Sequence, residues 1–589
     1  MRNVRVTTFF LLLMAAAFLG LAGRCFYLQK FKSEFYIDKS FVQQQSLSSL
    51  SPQRGTIYDR RGTVLAASNT VLVVKAEPRI IENPEEVSTR LSKVLDMEAE
   101  KIYELITKNK KSGYVRIKDD AEADECDRVM GRETESEEAE EPAKDKIIAK
   151  KKRKRIHHGI AVESGWRRHY PLGRLVANIV GFTSRDEKQG LEGIEFKYNK
   201  ELSGSSASNV FLADAGRRPI RLKQRKGILI DGNGLILTID TTIQEFARSA
   251  LMERYKSYEA ESALAVVADP KTGEILAMVS LPDYDPAEAH SVDPNDRRNR
   301  AITDEFEPGS IMKPIAMTIG LEAGAVSKND TIFCENGSYS GRGFGRIGEY
   351  RNGFGNLLLR MILVKSSNIG MAKVGQKLGR KRLHEGLVQF GFGKRVGIEL
   401  SGEANGFLRP VGEWTGYSET RIPFGQEITV TALQLVQAFC VIANGGRLVR
   451  PHLVLAMLDN EGNVIEVRRP VPPVGYIINP DVANWVKDAM VGVVNEGTGK
   501  RAKLERWQVF GKTGTANIPF KDRKGYSKDD YIASFVAGAP AEEPAVIVLV
   551  SIRKPNKTLG KGYTGGVVAS PVAAKIIEKT MNYLERQGR

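Results

Sequence analysis

Cysteine is scarce in this chain: four residues in 589, at positions 25, 126, 334 and 440, with no C-x-x-C pair and no histidine at ligand spacing. That excludes a disulfide-built scaffold and the usual zinc sites, and leaves free, buried thiols as the expectation. No H-E-x-x-H occurs, so a zinc hydrolase lacks its ligands. A phosphate loop ending at Gly511-Lys512-Thr513 would need glycine at position 506, where Arg506 stands. Internal repeats are missing too. The 87 Lys+Arg exceed the 71 Asp+Glu by a net +16, but the basic residues are spread along the chain and no nucleic-acid-binding motif goes with them. Charge of this sign suits an anionic polymer or an anionic membrane surface, and no nucleic-acid partner is expected.

What is present starts at the N-terminus. After Arg2 and Arg5, Thr7 to Gly23 is an apolar run of 17 residues, extendable to Leu28 past Arg24. This is the short end of a membrane-spanning helix. A cleaved signal peptide is the rival, but the run exceeds a usual apolar core and a basic, aromatic segment follows. A lipoprotein site would need cysteine directly after Gly23, and Arg24 intervenes. The expectation is a cytoplasmic tail over 1–6, an uncleaved anchor over 7–28 and the remainder outside the cytoplasm.

A chain of 589 residues is too long for one core. Arg54 to Ala66 reads as a hairpin closed by Gly62. Asp119 to Asp145 carries thirteen acidic residues and is followed by the basic run Lys150 to Arg155, so 119–155 is expected to be a disordered, solvated insertion. A boundary falls near Gly234. Beyond it come a strand at Leu235-Ile236-Leu237-Thr238, a helix capped by Asp240, and a hairpin from Leu264 to Ser280. Ala545 to Val550 is short and wholly apolar, the mark of a strand covered on both faces, and Ser570-Pro571 opens a final helix. The expected architecture is a β-rich domain over 29–230 and an α/β (α+β) domain over 231–589.

Three short motifs occur in order in the second domain: Ser310-Ile311-Met312-Lys313, Ser366-Ser367-Asn368 and Lys512-Thr513-Gly514-Thr515. Each also has a decoy elsewhere, and geometry separates them. Ser310 follows Pro308-Gly309 and precedes an apolar-periodic run, so it should open a helix, where i and i+3 share a face and Lys313 reaches its hydroxyl. Ser551 and Lys554 continue a strand and point to opposite faces, Lys271 sits at a hairpin tip, and Ser327 reads as a loop. A serine hydroxyl needs a base, and a lysine serves once desolvation or a nearby cation lowers its pKa. Lys512 supplies that cation and attracts a substrate carboxylate. Ser366 relays a proton between Lys313 and the leaving amine, and Asn368 fixes the lysine. The Ser310 amide forms half of an oxyanion hole, and Gly514 admits a substrate backbone beside an edge strand.

The ordered S-x-x-K, S-x-N, K-T-G set resembles that of penicillin-binding proteins. With the flanks Phe306 to Ser310, Arg54 to Ala66, Arg168 to Gly173, Gly190 to Glu195 and Gly425 to Thr431, it is similar to the division-type branch of class B. The resemblance covers nearly the whole chain except 119–155. It implies a pedestal over 29–230 and a D,D-transpeptidase domain over 231–589, with no metal or organic cofactor. The catalytic set it implies is Ser310, Lys313, Ser366, Asn368 and Lys512. Thr513, Gly514 and Thr515 would bind substrate, the Thr515 amide completing the oxyanion hole. Peptidoglycan stem peptides and β-lactams are the implied ligands, and a polytopic glycosyltransferase and other division proteins the implied partners. A β-lactam-binding sensor, a division scaffold and a D,D-carboxypeptidase are the alternatives. A hydrolytic β-lactamase of class A is disfavoured because its Glu-x-x-Leu-Asn motif needs a Leu-Asn pair, which this chain lacks.

Overall fold

Strands with apolar residues on both faces need cover on both sides, and the fold supplies it with helices. The computed structural model describes residues 2–33, 45–50, 52–108, 110, 112, 114–131, 159–213, 219–226, 228–349, 353–468, 475–520, 523 and 525–588. Two compact units emerge, Met1–Gln53 with Gly204–Asp231, and Arg54–Ser203 with Gly232–Arg589.

In the first unit Arg2–Phe31 is one helix. Its segment Thr8–Phe31 is, among the described residues, the one helix long and apolar enough to cross a membrane. Strands Gln45–Leu50, Ala207–Ala213 and Pro219–Lys226 form an antiparallel sheet in that order. All four cysteines of the chain are free, but Cys25, on this helix, is exposed rather than buried as expected.

Besides two small two-stranded sheets, the second unit contains two large ones. One runs β9-β8-β5-β1-β2-β3, comprising β1 (Ile57–Tyr58), β2 (Val64–Ala76), β3 (Val115–Ala121), β5 (Gly234–Leu237), β8 (Val454–Leu458) and β9 (Val464–Val467). A further strand, β4 (Ile160–His169), also pairs with β2. Because β5 lies between β1, in parallel, and β8, antiparallel, this sheet crosses the boundary expected at 231.

Against the first part of this sheet pack helices α1 (Pro84–Leu95), α2 (Ala99–Lys108) and α3 (Ala123–Met130). The end of strand β3 and all of helix α3 fall inside the stretch expected to be disordered, so that expectation is corrected for residues 119–131. Glu122 and Glu125 form a capping box, and Ala121, Cys126 and Val129 join a core with Leu91, Ile102 and Ile106. Charge density misled because few apolar residues suffice when neighbouring helices supply the rest of the core. The rest of that stretch, 132–155, lies outside the described residues.

The second sheet is antiparallel, ordered β7-β6-β12-β11-β10, from β6 (Ser262–Ala268), β7 (Ile275–Leu281), β10 (Phe510–Pro519), β11 (Tyr526–Ala539) and β12 (Val546–Arg553). Period-two alternation sends Ile547 and Leu549 of β12 to one core, and Val548 and Val550 to the other. The first core includes α5 (Met312–Glu322), α8 (Ala432–Ala443) and α9 (Pro480–Asn495). The second includes α4 (Thr241–Ser257) and α10 (Ser570–Arg586). Asp240 caps α4 as the sequence requires.

Buried ion pairs and hydrogen bonds tie the early segments together. Glu195, fully buried, takes Arg54 Nε at 2.6 Å and Arg168 Nε at 2.7 Å. Asp59, also fully buried, accepts from the amides of Arg61 and Thr63, each at 2.8 Å, and from the Thr241 hydroxyl at 2.8 Å. Asp59→Ala is expected to cost about 2 kcal/mol, since buried donors are left unmatched. A lower urea midpoint with unchanged slope would register it; an unchanged midpoint would show that water replaces the carboxylate.

Candidate active site

Three segments converge on one cleft of about 970 Å³, lined among others by Glu307, Ser310, Glu349, Asn368, Thr513 and Thr515. The nucleophile segment arrives first. Gly309–Ile311 is a single 3₁₀ turn leading into α5, so Ser310 stands one turn ahead of the α-helix rather than within it. Its approach is pinned by reciprocal backbone hydrogen bonds between Phe306 and Val430, at 3.0 and 2.9 Å. Gly309 (φ +53°) faces Gly425 (φ +86°), and its amide donates to the Gly425 carbonyl at 3.1 Å.

The second segment joins α6 (Leu359–Lys365) to α7 (Asn368–Leu378). Ser366 ends α6 in the left-handed region, φ +59°, uncommon for a residue with a side chain. Ser367 caps α7, accepting from the Gly370 amide at 2.9 Å. The third segment is the edge strand β10, which carries Lys512, Thr513, Gly514 and Thr515.

Lys313 and Lys512 are both completely buried. Lys313 Nζ donates to the Ser366 carbonyl at 2.6 Å, to Ser366 Oγ at 3.1 Å and to Asn368 Oδ1 at 2.7 Å. Lys512 Nζ donates to the same Ser366 Oγ at 2.9 Å and to the Thr513 carbonyl at 3.2 Å. Neither lysine has a carboxylate in ion-pair contact among the described residues. Burial pushes Lys313 down to about 7, the Glu349 carboxylate opposing it. Burial, and then the charge of Lys313, holds Lys512 well below the usual lysine range. Such an arrangement can keep a neutral amine near neutral pH.

Thr513 Oγ1 lies 2.7 Å from Thr498 Oγ1, and Thr515 Oγ1 accepts from the Gly565 amide at 3.1 Å. Gly514 also has a packing role that the sequence did not show. A Cβ there would come within 3.0 Å of the Pro308 carbonyl and 2.9 Å of Ile311 Cγ1. The missing side chain lets the nucleophile turn pack on β10.

Residues 263–578 match the penicillin binding protein transpeptidase domain, and residues 49–237 the penicillin-binding protein dimerisation domain. The chain belongs to the class B penicillin-binding proteins. Stage V sporulation protein D of Bacillus subtilis (strain 168) is 32% identical over 555 residues, 92% of this chain and 81% of that protein. The peptidoglycan D,D-transpeptidase FtsI of Escherichia coli (strain K12) is 29% identical over 590 residues, 97% of this chain and 90% of its own length. Penicillin binding protein 3 of Mycobacterium tuberculosis, solved with aztreonam, shares the fold with a TM-score of 0.67 at 23% identity, over 91% of this chain and 97% of that one.

In this penicillin-binding protein the structure brings Lys313, Ser366, Asn368 and Lys512 into one hydrogen-bonded group, with Ser310, Thr513 and Thr515 on the same cleft. The hydrogen bonds of Lys313 run to Ser366 and Asn368 rather than to Ser310, although helical spacing suggested the latter. The decoy motifs serve other ends: Lys271 pairs with Glu543 and Ser551 bonds to Ser534. Sequence reasoning missed Thr498, Gly565 and Glu349. Glu307 lies in the flank of the nucleophile, where the sequence assigns it no role. It accepts from Tyr526 OH and the Glu427 amide, each at 3.0 Å, and burial raises its carboxyl. Thr498, Gly565 and Glu349 belong to no motif with fixed spacing, so no local signal marks them.

Proposed function

We propose that this chain is a serine D,D-transpeptidase that cross-links peptidoglycan stem peptides through an acyl-enzyme on Ser310, in septal wall synthesis. The observation that carries the reading is the convergence of two buried lysines on the Ser366 hydroxyl, in the cleft that Ser310 lines.

Neutral Lys313 takes the Ser310 proton as Oγ attacks the carbonyl of a D-Ala–D-Ala bond. The amides of Ser310 and Thr515 stabilise the oxyanion. Ser366, bonded to both lysines, passes a proton to the leaving amine, and D-alanine departs. Lys512, Thr513 and Thr515 hold the terminal carboxylate. An amine of a neighbouring stem then attacks the acyl carbon, its proton returning through Lys313, and Ser310 is regenerated. A β-lactam enters by the same first step and stays on Ser310. No cofactor takes part. The N-terminal helix anchors the chain in the cytoplasmic membrane with the catalytic domain outside, where a polytopic glycosyltransferase and division proteins supply glycan and location.

Fluorescent penicillin on the detergent-solubilised chain is expected to label Ser310, and lipid-linked substrate with a glycosyltransferase to yield cross-linked dimer. D-alanine release without dimer would mean a carboxypeptidase, and no labelling at all would end the reading. Since Lys313 acts when neutral, acylation should rise with pH through about 7 and level off above it.

A further inference from the structure

The motif set leaves Glu349 without a role, yet it sits behind the second motif with every oxygen engaged. It follows the hairpin of Ser338–Gly341 and Gly345–Gly348. Three donors from the start of α7 converge on its carboxylate: Ser367 Oγ at 2.5 Å, the Asn368 amide at 2.8 Å and the Ile369 amide at 3.2 Å. The residue before it completes the clasp, the Gly348 carbonyl accepting from Asn368 Nδ2 at 3.0 Å. Both contacts bear on Asn368, whose remaining side-chain atom, Oδ1, receives Lys313 at 2.7 Å.

We infer that Glu349 is a positioning residue for acylation: its carboxylate fixes the start of α7 so that Asn368 meets Lys313, and supplies the negative charge facing that lysine. No lysine or arginine is in ion-pair contact with Glu349 among the described residues, so helix N–H groups balance its charge. The charged groups around Lys313 are few. Lys512 faces it from β10, and Glu349 from beside α7. Glu307 lines the cleft but is held by Tyr526 and the Glu427 amide, and Lys373, further along α7, is paired with Glu335. Glu349 therefore favours the ammonium form of Lys313 and works against its burial. The carboxylate orients the base and at the same time limits how acidic the medium can be before the base is lost.

The inference rests on Lys313 being the base, and one experiment separates the two. The rate of fluorescent-penicillin acylation is measured from about pH 5 to 9 on the detergent-solubilised full chain and its Glu349→Gln and Glu349→Asp variants. In Glu349→Gln the plateau should drop about tenfold, because an amide has one acceptor oxygen for three donors. The acidic limb should move down by about one pH unit, the low end for removing an opposite charge. Glu349→Asp keeps the charge, so its limb should stay at the wild-type position while its plateau falls. A Glu349→Gln limb at the wild-type pH, with only the plateau lowered, would overturn the electrostatic part and leave a structural tie. Equal downward limb shifts in both variants would also overturn it, since charge would not be the cause. A flat wild-type profile would instead remove the base role of Lys313, and this inference with it.

Discussion

Lys313→Arg is expected to lose penicillin acylation by at least ~100-fold, the usual scale for removing a positioned proton acceptor. Arginine keeps the positive charge but is effectively never deprotonated in proteins. Burial holds Lys313 near 7, so the native amine is neutral for a large share of the time at physiological pH. The guanidinium would be a permanent cation beside Lys512, which meets the same Ser366 hydroxyl. A lysine that worked by charge alone would predict substantial activity in the arginine variant. Lys313 is completely buried, so a dead variant could also reflect a clash with the larger group. Lys313→Ala with added primary amines separates the causes, and rescue rising with amine basicity supports the base. A folded, Ser310-labelled and active Lys313→Arg enzyme would sink the assignment.

Gly425→Ala should be as damaging, from a position outside all three motifs. A Cβ there would lie 2.0 Å from the Gly309 carbonyl oxygen and 2.5 Å from its nitrogen, both backbone atoms that no rotamer change can move aside. The left-handed φ of +86° adds about 1 kcal/mol for any residue with a side chain. Relief requires the turn at Gly309 to move, and Ser310 moves with it. A shift of about 1 Å at a nucleophile is enough for ~100-fold loss, so labelling should fall at least that far and the melting temperature should drop. Gly445→Ala is the control, since Gly445 has a similar φ of +80° with open space where the Cβ would go. It should lose about 1 kcal/mol of stability and keep its labelling rate. Wild-type labelling by Gly425→Ala would show that the turn relaxes without disturbing Ser310.

These two positions differ in how readily sequence exposes them. Lys313 was legible because a helix start puts i and i+3 on one face, and because the motif recurs in order with two others. Gly425 was legible only as part of a family flank. Its partner Gly309 lies more than a hundred positions away, and nothing in either neighbourhood predicts the contact. The disordered reading of 119–131 failed for a related reason. Cys126 and Val129 share a helix face, but their value as core depends on α1 and α2 being there to meet them.

What the sequence by itself determined is local. The apolar helix at the N-terminus, the hairpin of β6 and β7, the cap at Asp240, the doubly covered β12 and the three motifs all follow from periodicities of two or 3.6 residues and from turn chemistry. Tertiary structure alone decided which distant groups meet. It buried Lys313 and Lys512 on one hydroxyl, set Ser366 in a left-handed conformation, and closed Arg54 and Arg168 on Glu195, the first pair 141 positions apart. It also brought Glu349 behind Asn368. The depressed lysine follows from desolvation and from charges on other segments, and both come into being only when the chain has folded around it.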